Sequence, residues 1–560
     1  MGVILTKPLM PFMIKSILER AKLYFPNTEI FSLDYSGEHR YNYAGLYERT
    51  CRLANALSDL GIKRGDIVGT FAWNTHRHLE LYFALPSMGS IIHTLNIYLF
   101  KEQLVYILNH AEDKILFVDE DLIPAVEALK DEIPKVKAYV ILTDKSSLPE
   151  TTLTPVYHYE ELLAKGAPDY KFPEDIDERE ACFLVYSSGT TGMPKGYFYS
   201  HRSLYLYSLT ICFADAAALK AEDSVLMIVP MFHAAAWAFP YAATLTGAKQ
   251  VYPGIHPSTK ILCELIESER VTVGNGVPTI WLGILNEVSS SGADISSLQR
   301  VATGASPVPA VLAEELDRMG VTIMHHYGIT ETTYGDTTYS KIRDFMKSWP
   351  KEKQYEQLAK QGIPLPLAQM RVVNPITGTE VKWDGKEPGA ILWRSPALNY
   401  GYFKDEERTR EVFDKYPGFI DSQDLGTVDE YGYVKIVDRA KDLIKSGGEW
   451  ISSVDLENMI MGHEKVLEAA VFAVPHPKWD ERPGAWVVPK PEFKGKLTKQ
   501  EILDYLTKKL EEGKIAKFWI PDIIEIVERI PKTGTGKFDK KVIRKKYWKS
   551  SKRQDKLADS

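Results

Sequence analysis

Residues 181–196 read "ACFLVYSSGTTGMPKG". An apolar run suited to a buried strand gives way to serines, threonines, glycines and a single lysine. Glycines let backbone N–H groups approach an anion closely, and Ser and Thr hydroxyls donate further hydrogen bonds. Lys195 adds a compact positive charge. A strand ending in such a loop suits the phosphates of a nucleotide. A flexible linker is the plain alternative, but a linker would not carry a lysine and a proline directly after a strand. The loop is not G-x-x-x-x-G-K-[ST], because Gly189 is followed by Gly192 and Lys195 by Gly196. Residues 533–537, "TGTGK", miss that pattern too, since Pro531 stands where its first glycine belongs.

Outward from this stretch, strands alternate with helices. "DIVGTFAW", "KILFVDE", "AYVIL", "QVYPG", "VTVGNGVP" and "RVATGAS" read as strands, and "YAGLYERTCRLANALSDLG" as an amphipathic helix closed by Gly61. The pattern predicts an α/β fold with stacked, mostly parallel sheets. Beyond about residue 365 short strands and turns predict a small antiparallel, β-barrel-like region. After "GYVKIVDRAKD" a smaller α+β segment follows, with "VDLENMIMGHE" as helix and "VLEAAVFAVP" as helix end and strand. The predicted division is a large domain over 1–437, a hinge at 438–441 and a small mobile lid over 442–560.

The 560 residues exceed one ordinary domain. A net charge of −7 offers no basic field for nucleic acid. Cys51, Cys182, Cys212 and Cys263 form no CxxC pair, which argues against a disulfide framework or zinc site and fits a reducing cytoplasm. The start, "MGVILT", formally matches a myristoylation pattern, but no signal peptide is laid out. Residues 224–248 carry no formal charge and would be long enough for a bilayer. Pro230, His233 and Pro240 interrupt them, so the expectation is a buried strand, "SVLMIV", then a buried alanine-rich helix.

Three further motifs carry chemistry. In "HHYGITETT", 325–333, Tyr327 offers a flat face to a purine, Thr330 could reach a phosphate, and Glu331 could bind Mg²⁺ through oxygen. In residues 419–452, "FIDSQDLGTVDEYGYVKIVDRAKDLIKSGGEWIS", Asp424 is a candidate acceptor for a ribose diol and Arg439 a candidate partner for sugar or phosphate. In "PKTGTGKFDKK", 531–541, Lys537 follows two glycines. Taken singly, each is matched by a bland alternative: an ordinary loop, a surface ion pair, a solvated lysine.

Together, in this order, these motifs resemble the AMP-forming acyl-CoA synthetases of the adenylate-forming superfamily. The texture, including "VPMFHAAAW" and "SGGEWISSVDLEN", is most similar to bacterial and archaeal fatty-acyl-CoA synthetases, over residues 15–546. The resemblance implies a two-step reaction. A carboxylic acid attacks the α-phosphate of ATP to give an acyl-adenylate and pyrophosphate, and the thiol of coenzyme A then displaces AMP. It implies that Thr190 and Thr191 hold the β- and γ-phosphates, with Ser187, Ser188, Gly189, Gly192 and Lys195 completing the cradle. Glu331 would bind Mg²⁺ and Thr330 the α-phosphate. Tyr327 and Gly328, with Gly304, Ala305 and Ser306, would bracket the adenine; Asp424 and Arg439 would take the ribose. His233 would lie between the acid and the phosphates. Lys445, Gly447, Gly448, Glu449 and Trp450 would meet coenzyme A, Lys441 would be the pivot, and Lys537 the catalytic lysine of the first step.

Short-chain relatives carry a tryptophan where Gly328 stands. Gly328, Ala234, Ala235, Ala236 and Gly276 are therefore expected to leave an acyl pocket open, with Trp237 as its wall or gate, which implies a medium- or long-chain acid. There are departures from the family pattern. "DSQD", 421–424, replaces Arg-Thr-Gly-Asp, so Gln423 stands for a glycine and the local turn is expected to differ. Trp450 stands where short-chain relatives have arginine, and Ser187 where threonine is commoner. Alternatives are a ligase for a short hydroxy acid such as 4-hydroxybutyrate or 3-hydroxypropionate, an adenylating enzyme with a non-CoA acceptor, or a degenerate nucleotide binder. The basic terminus "KKVIRKKYWKSSKR" is ordinarily a solvated face, and it leaves a peripheral membrane contact open. A homodimer also stays open.

Overall fold

The computed structural model describes residues 10–187, 193–332, 338–439, 444–446, 449–532 and 538–547; of 438, 439, 449 and 450 it describes the backbone alone. Two large sheets carry most of the chain. One has seven strands in the order Val156–His158, Ala138–Leu142, Ile115–Asp119, Ile67–Phe71, Ile91–Thr94, Ala181–Ser187 and Lys195–Ser200. All its pairings are parallel except the last, where Lys195–Ser200 returns antiparallel beside Ala181–Ser187. Strands such as Ile115–Asp119 are buried at every position, which is what a sheet covered on both faces demands.

The second sheet has nine strands, parallel through its centre, where Lys249–Tyr252, Ser224–Met227, Val273–Gly276, Arg300–Gly304 and Thr322–Tyr327 lie side by side. Glu29–Asp34 joins it in parallel beside Lys249–Tyr252. The helix Tyr43–Asp59 then leads back to the seven-stranded sheet, so the two sheets are interlocked by the chain's own path. Its start is capped by Asn42, whose Oδ1 accepts from Gly45 N at 2.9 Å, and Gly61 follows its end with a φ of +84°.

The uncharged stretch 224–248 departs from expectation. The strand is only Ser224–Met227, and the alanines do not begin a right-handed helix. Ala234–Ala238 take five successive left-handed conformations, with φ between +47° and +55°, and the right-handed helix is Phe239–Thr246. Left-handed backbone costs an L-residue roughly 1–2 kcal/mol. Burial of the whole segment at the junction of the two sheets offsets that cost: Tyr82 donates to the Met231 carbonyl and Thr94 to that of Phe232. No helix among the described residues is long and apolar enough to cross a membrane.

A four-stranded antiparallel sheet follows: Gln369–Val373, Gly389–Arg394, Ile420–Val428 and Val434–Arg439. The last segment has a sheet of five strands and its own apolar core, with Ile444, Ile451, Leu456, Val471 and Leu506 among its members. Here "VLEAAVFAVP" is strand throughout, within Val466–His476, because it pairs along its length with Asp480–Pro489; the preceding helix, Ser453–Met461, ends before it. Ser452 caps that helix and also donates to the Val437 carbonyl at 2.6 Å, and Lys435 pairs with Asp455 at 2.7 Å.

Candidate active site

The hairpin Ala181–Ser187 and Lys195–Ser200 frames the glycine-rich loop, and Ser187 faces Lys195 across it in register. Ser188, Gly189, Thr190, Thr191 and Gly192 lie outside the described residues, as do Lys441, Gly447, Gly448 and Lys537. Lys195 is partly buried. Its Nζ lies 5.1 Å from the centroid of the Tyr402 ring. Desolvation lowers its pKa, Arg408 adds to this, and Glu331 opposes it. The Tyr402 hydroxyl donates to Glu331 Oε1 at 2.5 Å. Glu331 belongs to the turn Thr330–Thr332, and Tyr199 donates to the Thr330 carbonyl at 3.0 Å. Two tyrosines thus tie the lysine hairpin to the turn that bears Thr330 and Glu331.

The strand Thr322–Tyr327 carries Tyr327 inward. Its hydroxyl donates to Asp424 Oδ2 at 2.7 Å, and its ring centroid is 6.0 Å from that of Trp393. Burial pushes the Tyr327 hydroxyl far above its ordinary range, so it stays a donor. Asp424 is paired in register with Arg439 on the neighbouring strand. Beside Tyr327, Gly304 admits no side chain: a Cβ there would stand 2.2 Å from the His326 carbonyl oxygen. Ala305 follows with a φ of +64°, turning the chain toward Ser306.

A model of the AMP-binding enzyme family matches residues 18–403, and one of the AMP-binding enzyme C-terminal domain matches residues 455–537. The chain belongs to the AMP-binding enzyme family. It is 45% identical over 531 residues to a long-chain-fatty-acid–CoA ligase of Thermus thermophilus, covering 95% of this chain and 94% of that one. It is 38% identical over 536 residues to a medium-chain-fatty-acid–CoA ligase of Ectopseudomonas oleovorans, covering 95% and 96%. The fold matches the crystal structure of the anthranilate CoA ligase AuaEII in complex with anthranoyl-AMP, with a TM-score of 0.83, 23% identity and coverage of 97% and 98%.

The "DSQD" segment bends at Gln423. Gln423 has a φ of +62°, the left-handed region that glycine favours. The backbone there is of the kind that glycine takes without strain, so a glutamine in it carries strain. Asp421 stabilises it locally: its Oδ1 accepts from Gln423 N at 2.8 Å and its Oδ2 meets Lys415 Nζ at 2.8 Å. Ser422 donates to the Ile391 carbonyl and accepts from Asp424 N.

Of the other AMP-binding residues expected, Gly328, Thr330 and Glu331 are half-buried on the loop that follows Tyr327. His233 is half-buried at the head of the left-handed turn, and Ala234, Ala235, Ala236 and Trp237 are buried within it. Gly276 has a second use: Trp281 Nε1 donates to its carbonyl at 3.1 Å, and a Cβ there would stand 3.4 Å from that nitrogen. Lys445 is exposed on the strand Ile444–Ser446, and its N–H donates to Glu481. The side chains of Arg439, Glu449 and Trp450 are not among those described. Sequence reasoning missed Tyr402 and Tyr199. The dense aromatic and glycine punctuation of "NYGYFKDEERT", 399–409, was the signal for the first.

Proposed function

We propose that this AMP-forming acid–thiol ligase takes a medium- or long-chain fatty acid. The acid attacks the α-phosphate of ATP, and coenzyme A then receives the acyl group from the adenylate. Lys195, the loop 188–192 and Thr330 stabilise the phosphate charge; Asp424, Arg439 and Tyr327 hold the nucleoside. Charge stabilisation carries both steps, with little need for proton transfer. Glu331 fits Mg²⁺: it is an oxygen donor with one carboxylate oxygen engaged by Tyr402. Among the described residues no group of three or more His, Cys, Asp or Glu side chains could hold a metal. Mg²⁺ is commonly held by one or two carboxylates plus substrate phosphates. Bound there, the ion would neutralise charge on the phosphates.

In this reading residues 1–437 bind nucleotide and acid, and 442–560 form a lid that pivots at Lys441. Lys537 serves adenylation. The loop of Lys445, Gly447, Gly448, Glu449 and Trp450 serves the thioester step. The acid's size is read from the run His233 to Trp237, whose small buried alanines would line the acyl site and whose indole would close it. The long-chain- and medium-chain-fatty-acid–CoA ligases to which the chain is 45% and 38% identical support the same size. The test is a panel of acids from acetate to palmitate with ATP, Mg²⁺ and coenzyme A, following AMP release and thiol loss together. Each buried methylene contributes about 0.8 kcal/mol, so kcat/KM should rise nearly fourfold per carbon until the cavity ends. Acetate or propionate as the best substrate overturns the chain length. AMP release without thiol loss overturns the acceptor.

A further inference from the structure

The segment after the antiparallel sheet's Gly389–Arg394 strand runs along the lysine hairpin as a strap. Asn399 Nδ2 donates to the Phe198 carbonyl at 2.9 Å, and Tyr197 donates to the Asn399 carbonyl at 2.6 Å. Phe403 N donates to the Gly196 carbonyl at 2.8 Å. Tyr402 lies in the middle of this strap and is buried. Its ring meets Phe413 at 5.7 Å and Tyr197 at 6.3 Å between centroids, and Thr409 Oγ1 accepts from its N–H at 2.8 Å. Backbone and ring are both fixed, so the hydroxyl is aimed by the surrounding structure. It is aimed at one oxygen of Glu331, while the face of the same ring carries Lys195 Nζ.

We propose that Tyr402 is a positioning residue: through one rigid side chain it sets the separation between the phosphate-loop cation, Lys195, and the carboxylate that takes Mg²⁺, Glu331. This rests on the functional reading above. Holding Oε1 by a hydroxyl limits the carboxylate's rotation, and Oε2 would be the oxygen that meets the ion. A ligand so oriented loses less freedom when the ion arrives. Outer contacts of this kind tune metal affinity, and losing one typically costs about 10–100-fold.

Tyr402→Phe keeps the ring and removes the hydroxyl. Titration calorimetry of ATP into parent and variant, with Mg²⁺ and separately with excess EDTA, separates the ion from the nucleotide. The affinity for MgATP should fall roughly tenfold, and that for metal-free ATP by less than about twofold. In a Glu331→Gln background, which removes the negative charge that would take the ion, Tyr402→Phe should add no further loss. Equal losses with and without Mg²⁺ would overturn the assignment and leave Tyr402 a packing residue. A further loss in the Glu331→Gln background would overturn it as well. A parent protein that binds MgATP yet activates no acid would instead defeat the functional reading, while the calorimetry still decides Tyr402.

Discussion

Replacing Tyr327 by phenylalanine removes one oxygen from the heart of the proposed nucleoside site. Tyr327 is 8% exposed and Asp424 6%, and the bond between them is 2.7 Å. The aromatic ring stays, with Trp393 beside it, so no cavity larger than a hydroxyl opens. A net hydrogen bond to a charged group contributes roughly 1.5–3 kcal/mol. About 1.4 kcal/mol is tenfold in an equilibrium constant, so even the lower bound is a tenfold effect. If Asp424 holds the ribose, part of that energy fixes the carboxylate for ATP. The KM for ATP in pyrophosphate exchange should rise about tenfold, while the KM for the acid stays within about twofold. Urea unfolding of the same variant should show a loss of about 1–2 kcal/mol. Because burial keeps the hydroxyl protonated, the effect on KM should not change across neutral and mildly alkaline pH. A variant that loses stability and keeps its KM for ATP would refute the reasoning, since the bond would then serve the fold and not the nucleotide.

Two further outcomes concern stability. His78, His201 and His325 are buried, and desolvation lowers each from 6.5 to about 4. The unfolded chain takes up those protons below pH 6.5 while the folded protein refuses them. Their contribution is therefore complete above pH 6.5 and is lost as the pH falls toward 4, by up to roughly 3 kcal/mol for each ring. Urea midpoints should drop steeply over that window, and a flat profile would contradict neutral buried rings. The second outcome concerns Glu80, whose fully buried carboxylate accepts from Arg49 Nε and from the Tyr159 hydroxyl, both at 2.6 Å. Glu80→Ala should cost about 3–5 kcal/mol in denaturant unfolding, because it strips a buried charge pair of one partner. Glu160→Ala removes a carboxylate that is 32% exposed on the same arginine and should cost distinctly less; equal losses would show that burial does not set the penalty.

What the sequence disclosed and what it hid follow from the range of the interactions. The alternation of strands and helices and the glycine-rich loop are local patterns, and they were legible as such. Tyr402 and Glu331 are 71 residues apart and Tyr327 and Asp424 97 apart, so no window of sequence contains either pair. The motifs that hold Tyr327, Glu331 and Asp424 were visible; the hydroxyls that connect them were not. Ala234–Ala238 were misread for a different reason. Alanine is the strongest right-handed helix former, and its local preference is overridden by the fit of the segment between two sheets. Gln423 shows the converse. A glycine's absence from the sequence suggested a different turn; the backbone there has a positive φ at Gln423, with Asp421 accepting from Gln423 N and Ser422 from Asp424 N. A residue type reports the cost of a conformation, and the neighbours decide whether that cost is met.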